Sequence, residues 1–441
     1  MSSQSSKSCS SPSKELKKGR RSSRGDFCGK NDVQSPLDLI APFERDEVIL
    51  GRRVGSGAFS RVYEIKSFSL RPDQSDIYTK HQVEKREATV RSMCYGAKYV
   101  LKCLNDDLQQ DVDEDILSGA AEDIAHEAEM LAALSHPNII KLHGVIANRH
   151  TALRDGGSSF FVIIERLEST LSDKIEVWKE KNSSNLSSSI RSLGSSFHSI
   201  SSFSSSGALD KQERAEAEAG SLETRLGIAA SLAGAVEYLH SQGIIFHDLK
   251  PDNVGFDALG NVKLFDFGLA RFMPRYGDPY KDVYEMSGAG TPRFCAMEVL
   301  FAEPYNLKAD VYSFGVVLWE IMSLKKPFRK CNSWEELTRA LSRGKSLALK
   351  RKWPRSIQDT IRRSLSQDPA QRPTMSEVCK VLEISKEWKD YTVHYPSSWK
   401  HSSFSCKLSS TGFFRSLTSS TDSTTADTFQ DVLLNDVVEN L

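Results

Sequence analysis

The segment FHDLKPDNVGF (Phe246 to Phe256), followed closely by LFDFGLA (Leu264 to Ala270), constrains this chain more than any other stretch. Asp248 and Asn253 stand five positions apart across a Pro-Asp turn, so one side of the loop can offer a carboxylate to a hydroxyl nucleophile and an amide to a metal ion. Lys250 lies between them, where an ammonium can neutralise charge on a group in transit. Asp266 adds a second oxygen ligand suited to Mg²⁺, a hard cation held through few carboxylates and through substrate phosphates. Together these residues call for one reaction, phosphoryl transfer.

A phosphate cradle is offered upstream by GSGAFSRV (Gly55 to Val62), whose glycines let backbone N–H groups approach a polyphosphate that a Cβ would obstruct. Alone, the stretch reads equally as a plain hairpin turn, and Ser60 replaces the third glycine of a GxGxxGxV pattern. Lys102, on a β-prone run, supplies a cation able to clamp phosphates, and Glu127 on the next helix can orient it. Either of the two in isolation is a solvated surface charge. No structural role accounts for Lys102, Asp248, Asn253 and Asp266 occurring together.

The surrounding pattern predicts an α/β chain with more than one compact unit, which 441 residues allow because single domains usually hold about 100 to 200. Val48 to Val54 and Val62 to Phe68 read as a hairpin, and Lys98 to Leu104 as a third strand. The charged stretch 71–97 between them is longer than most loops and reads as an insertion. Ala121 to Leu134 has apolar residues at helical spacing. Residues 182–206 are Ser-rich and are expected to form a disordered insertion in a helical region. Helix resumes from Leu222 to a capping Gly243, and helices continue to about Trp388. The expected units are thus 45–167 and 168–388. The basic, Ser-rich arm 1–44 holds too little apolar surface to offset ordering entropy and is expected to be disordered, and 389–441 reads as a Ser/Thr-rich tail. Within the tail, Phe429, Leu433, Val437 and Leu441 would share one face of a short terminal helix.

In this order the motifs resemble the eukaryotic protein kinase family over about Val48 to Glu387, apart from the inserts. The resemblance implies a small β-rich lobe and a larger helical lobe, with ATP and Mg²⁺ bound between them and protein substrates as acceptors. It places Val54, Gly55, Gly57 and Val62 in the nucleotide loop, and makes Lys102 and Glu127 an ion pair that positions phosphates. Asp248 becomes the catalytic base, Lys250 and Asn253 its loop partners, and Asn253 with Asp266 the metal ligands. Val100 takes the small-residue position above adenine, Ile164 the gatekeeper position, and Glu165 to Leu167 the hinge. GTPRFCAMEVL (Gly290 to Leu300) matches the substrate platform, DVYSFGVVLWE (Asp310 to Glu320) the central helix of the large lobe, and Arg372 should pair with Glu298. Lys250 in DLKPDN and the platform GTPRF are similar to those of Ser/Thr kinases, and DVYSFGVVLWE with DPAQRPTM (Asp368 to Met375) most resembles the tyrosine-kinase-like Ser/Thr group. An ATP-binding scaffold that signals by docking is the alternative reading.

Three positions depart from the family pattern. The usual His-Arg-Asp is Phe246-His247-Asp248, so the permanent guanidinium is gone; Ala-Pro-Glu is Ala296-Met297-Glu298; and Val100 adds methyls to the adenine slot. A second resemblance fails: Asp111, Asp113, Asp115 and Glu122 match EF-hand ligand positions, but Ile116 stands where the turn needs glycine, and a solvated acidic loop is expected instead.

The 58 basic and 58 acidic residues cancel, so no global field draws the chain to nucleic acid or to a membrane surface. No apolar run approaches the ~20 residues of a membrane span, and no early apolar stretch forms a secretory signal. The eight scattered cysteines read as reduced thiols. A cytoplasmic location is expected, with Lys17 to Arg21 as an alternative nuclear address and the acid-poor arm as an alternative organellar one. The flanking arms are also candidate docking segments.

Overall fold

In a computed structural model of the chain, the described residues are 35–57, 59–71, 77–105, 114–154, 159–192, 220–274, 276–286, 290–331 and 333–386. All of them fall in one unit that begins at Ser35. The basic run Lys17 to Arg21 and the terminal helix expected near Thr428 to Leu441 lie outside the described residues.

The amino-terminal half builds a six-stranded sheet from β1 (Pro42–Phe43), β2 (Val48–Ser56), β3 (Ser60–Phe68), β4 (Tyr99–Leu104), β5 (Leu142–Ile146) and β6 (Phe161–Glu165), in the order β1-β5-β6-β4-β3-β2. The predicted hairpin pairs antiparallel with bulges between Ile49 and Gly55, and only β1 runs parallel to its neighbour, β5. Strand β1 lies inside the stretch 1–44 expected to be disordered. Order begins ten residues earlier than the composition implied, because Leu37, Ala41 and Phe43 are buried and supply the apolar area that the arm as a whole lacks.

Helix α1 (Lys80–Cys94) fills most of the predicted insertion 71–97. Thr79 and Gln82 close it with a capping box, and its buried Arg86 reaches Glu47 at 2.7 Å and the Pro42 carbonyl at 2.5 Å. The same guanidinium stacks 4.4 Å over the Tyr78 ring. Helix α2 (Glu114–Ala133) starts earlier than predicted and absorbs Asp115 and Glu122. Those two EF-hand look-alikes therefore sit on a helix, not in the acidic loop expected; Asp111 and Asp113 lie outside the described residues. Helix α3 (Arg149–Arg154) links β5 to β6.

The second half is helical: α4 (Leu171–Ser192), α5 (Leu222–Ser241), α6 (Met297–Leu300), α7 (Lys308–Ser323), α8 (Trp334–Ser342), α9 (Arg355–Ser364) and α10 (Met375–Lys386). Helix α4 runs to Ser192, so the Ser-rich segment 182–206 begins as helix and not as a disordered loop; the remainder, from 193, lies outside the described residues. Helix α5 ends where predicted, at Gly243 with φ +69°, a left-handed turn that glycine adopts without a Cβ penalty. Every residue of α7 is buried, which makes it the axis of this half. Short strands β7 (Ser169–Thr170), β9 (Val254–Phe256) and β10 (Val262–Leu264) form one ribbon; β8 (Ile244–Ile245) and β11 (Arg271–Phe272) form another. These ribbons hold the loops that carry Asp248 and Asp266. The chain thus has the mixed α/β, two-lobed protein kinase architecture.

Candidate active site

Register on β4 decides where Lys102 points. Its neighbours Leu101 and Val100 are buried on the sheet, while Lys102 pairs with Val62 on one side and Val162 on the other. Its Nζ lies 2.6 Å from Glu127 Oε2 on α2 and 3.1 Å from Asp266 Oδ1. Burial, the largest single influence, lowers the ammonium's pKa, but the two carboxylates together outweigh it and leave it raised. The other oxygen of Glu127 accepts the Phe267 backbone N–H at 3.2 Å, so the lysine, the helix and the DFG segment are joined through one carboxylate.

The catalytic loop is held by a residue far away in sequence. Asp310, at the start of α7, accepts the backbone N–H groups of Phe246 at 2.7 Å and His247 at 2.9 Å, and takes His240 Nε2 at 3.0 Å. His247 has φ +69° and Asp266 φ +67°, a region that costs a non-glycine residue about 1–3 kcal/mol and persists only where neighbours enforce it. Asp310 supplies that enforcement at His247. Phe246 packs edge-on against Phe267, with centroids 5.1 Å apart, in place of the usual histidine.

Asp248 is surrounded by donors. Lys250 Nζ approaches Oδ2 at 2.5 Å, Asn253 Nδ2 donates to Oδ2 at 2.9 Å and to the Asp248 carbonyl at 3.0 Å, and Thr291 Oγ1 donates to Oδ1 at 2.7 Å. Lys250 also reaches Thr291 Oγ1 at 3.0 Å, closing a triangle between the catalytic loop and the GTPRF platform. The Asn253 amide nitrogen is spent on Asp248, so its oxygen is the atom left for a cation, and Asp266, with 46% of its side chain exposed, faces open space.

Gly57, Lys102, Glu127, Asp248 and Asp266 line one cavity of about 220 Å³. Val62, Val100 and Ile164 lie on the strands above it, with Val100 and Ile164 paired across β4 and β6. Val54 and Gly55 sit at the end of β2, where Val54 is exposed and a Cβ at Gly55 would make only ordinary contact with Val62. Gly57 is the tighter position, since a Cβ there would meet Ser60 Oγ at 3.0 Å. Glu165 spends its carboxylate on the Lys141 N–H and on Lys263 and its own N–H on the Lys141 carbonyl, and Leu167 packs on Gly255. Further down, Arg372 embraces Glu298 through two bonds of 2.5 and 3.0 Å, both side chains buried. Thr291 is legible in the sequence only through its family position, while Asp310 and Tyr305, whose hydroxyl lies 2.9 Å from His247 Nε2, are not singled out there; a carboxylate opening an otherwise apolar helix is the available signal for Asp310.

Comparison with known proteins gives the family. A family model for protein tyrosine and serine/threonine kinases matches residues 48–382. A serine/threonine/tyrosine-protein kinase of Arabidopsis thaliana is 32% identical over 163 residues, covering 37% of this chain and 40% of its own length. Mitogen-activated protein kinase kinase kinase 7 of Bos taurus is 31% identical over 216 residues, 47% of this chain and 36% of that protein. A putative serine/threonine-protein kinase/receptor of Acanthamoeba polyphaga mimivirus is 35% identical over 171 residues, 38% of this chain and 10% of that protein. The chain thus spans less than half the length of each of these relatives. With the family model covering most of its length, this chain belongs to the protein tyrosine and serine/threonine kinase family.

Proposed function

We propose that the chain is an active protein kinase that transfers the γ-phosphate of ATP to Ser and Thr hydroxyls of protein substrates in intracellular signalling. The observation that carries this reading is the triangle of Asp248, Lys250 and Thr291. It holds the Asp248 carboxylate beside the platform on which an acceptor segment would lie, with an ammonium adjacent to take up charge on the transferring group.

The residues fit ATP and Mg²⁺: Lys102 for the phosphates, and the carboxylate of Asp266 and amide oxygen of Asn253 for a hard cation. When bound, Mg²⁺ would supply neutralisation of the phosphate oxygens. Asp248 would accept the hydroxyl proton of the acceptor, Lys250 would hold the nearby oxygen charge, and Glu127 would keep Lys102 aimed. In the hinge from Glu165 to Leu167, the Glu165 carbonyl and the Leu167 backbone would meet adenine, since the Arg166 N–H is held by the Lys98 carbonyl at 2.9 Å.

The docking-scaffold alternative predicts no turnover. Incubating the purified chain with radiolabelled ATP, Mg²⁺ and a peptide array, beside Asp266→Asn, separates the two. Label on Ser and Thr peptides with the parent chain alone supports the proposal, and label confined to Tyr peptides, or none, overturns it.

A further inference from the structure

On the side of the large lobe beyond the platform lies a groove of about 400 Å³ that the reaction leaves unused. Trp319, Phe328, Leu347 and Leu349 give it an apolar floor. Its rim carries six basic side chains, Lys325, Lys326, Arg329, Lys330, Lys345 and Lys350, and no acid is among the residues that line it. Among the described residues, no ion pair joins any of the six to a carboxylate. In a chain whose charges balance at 58 and 58, this is a local excess of one sign. Burial lowers the pKa of Lys350, and Lys352, Lys325 and Arg225 lower it further by repulsion.

The walls are built in advance. Arg293 of the GTPRF platform donates to the carbonyls of Pro327 at 3.2 Å, Phe328 at 2.8 Å and Cys331 at 2.6 Å, which fixes the loop bearing four of the cations. On the opposite wall, Trp319 Nε1 holds the Ala348 carbonyl at 2.9 Å. A preformed apolar floor inside a cationic rim suits a segment that alternates apolar and acidic side chains.

The chain carries one such segment. After Arg415 there is no further Lys, Arg or His, and the five charged residues that follow are all acidic: Asp422, Asp427, Asp431, Asp436 and Glu439. Interleaved with them are Phe429, Leu433, Val437 and Leu441, the apolar face noted in the sequence. The 41 residues from 387 to 427 link this segment to the end of α10, and at about 3.3 Å per residue they can reach any point on the lobe. A tether of this kind presents the segment at an effective concentration on the order of millimolar, so weak contacts suffice.

We propose that residues 428–441 dock intramolecularly in this groove, with Phe429 and Leu433 on the apolar floor and Asp431, Asp436 and Glu439 against the cationic rim.

The test is hydrogen exchange on the full chain at low salt, read on fragments from 428–441. Docking slows their amides by about tenfold relative to an open chain, independent of protein concentration, and added salt relieves the slowing. Lys325→Glu with Lys330→Glu and Lys345→Glu abolishes it, and so does Asp431→Lys with Asp436→Lys and Glu439→Lys. Combining the two sets restores it, which a mere loss of folding would not do. Open-chain exchange in the parent protein overturns the proposal, as does slowing that survives groove reversal or that grows with protein concentration. Groove-dependent binding of phosphatidylserine vesicles by a parent chain whose tail exchanges freely assigns the groove to membranes and overturns it as well.

Discussion

Arg86 and Glu47 form an ion pair of 2.7 Å in which both side chains are almost fully buried, 4% and 1% exposed. It joins the inserted helix α1 to the segment that leads into the sheet, and the Arg71 N–H adds a bond of 3.2 Å to the same carboxylate. Removing the arginine leaves a buried charge without its main counter-ion, so Arg86→Ala should cost about 3–5 kcal/mol of stability. Urea unfolding checks this. The variant should also open first at α1 in limited proteolysis, and an unchanged midpoint would mean that the insertion is an ornament on the lobe.

The same argument applies beneath the platform. Arg372 is fully buried against Glu298, and its carbonyl accepts the Lys308 ammonium, so a second cation shares the pocket. Arg372→Ala should destabilise by about 3–5 kcal/mol, whereas Arg372→Lys keeps a charge but loses the two-pronged geometry and should recover only part of it. Melting temperatures of the three proteins give the ranking.

Turnover should fall by at least about 100-fold in Lys102→Met, Asp248→Asn and Asp266→Asn, because each removes a charge aimed at phosphate, nucleophile or metal. Circular dichroism should show all three folded. For Asp248→Asn the three donors to the carboxylate are only partly satisfied by an amide, so a modest loss of stability should accompany the loss of rate.

How much of this was legible in advance depended on whether a signal was local. The loop residues Asp248, Lys250 and Asn253 announce themselves within six positions, and the Glu298–Arg372 pair came from resemblance. Asp310 acts across 63 and 64 positions, where no periodicity reports it, and Thr291, 43 positions from Asp248, is legible only through its family position. Helix α1 escapes the periodicity for a different reason: the residues it buries are Arg86 and Thr89, so no apolar stripe marks it, although the Thr79–Gln82 capping box is present in the sequence. The start of the fold at Ser35 was obscured because Leu37, Ala41 and Phe43 are diluted by the polar residues before them.

Acid should destabilise the fold through histidines held neutral. Burial pushes His136 down to about 4, aided by Lys263, and His143 down to about 3, aided by Lys141 and Lys263. Burial also lowers His126 and His247. Each of these groups binds its proton more readily when unfolded, near pH 6.5, so stability is fully present above that value and is lost as pH falls toward 4. Glu320 opposes them, since burial and then Asp252 raise it to about 7, but it is one group against several. Unfolding free energy should therefore rise from pH 4.5 to 6.5. His143→Phe, which keeps a ring against Tyr99, should remove about one proton from that slope.

Activity should not depend on phosphorylation of the loop between Asp266 and Glu298. An arginine before Asp248 would be a permanent cation, repelled by neighbouring positive charge until a loop phosphate neutralised it. His247 is not such a group. Its Nδ1 lies 2.8 Å from the Leu269 carbonyl, which can only accept, so Nδ1 carries the proton; Nε2, 2.9 Å from the Tyr305 hydroxyl, then accepts. This arrangement satisfies a neutral ring, and burial lowers its pKa in the same direction. The loop's tyrosines are also largely committed to structure: Tyr280 bonds His240 at 2.8 Å, and Tyr284 donates to the Tyr276 carbonyl at 2.6 Å, while Tyr276 itself is 73% exposed. Phosphatase-treated protein and Tyr276→Phe should both keep turnover within about twofold of the untreated parent, a difference of ~0.4 kcal/mol in barrier. Tyr280→Phe and Tyr284→Phe are poor controls, because each would break one of these bonds. A large loss in the phosphatase-treated sample, reversed on rephosphorylation, would show that the neutral His247 does not free the loop from a phosphate.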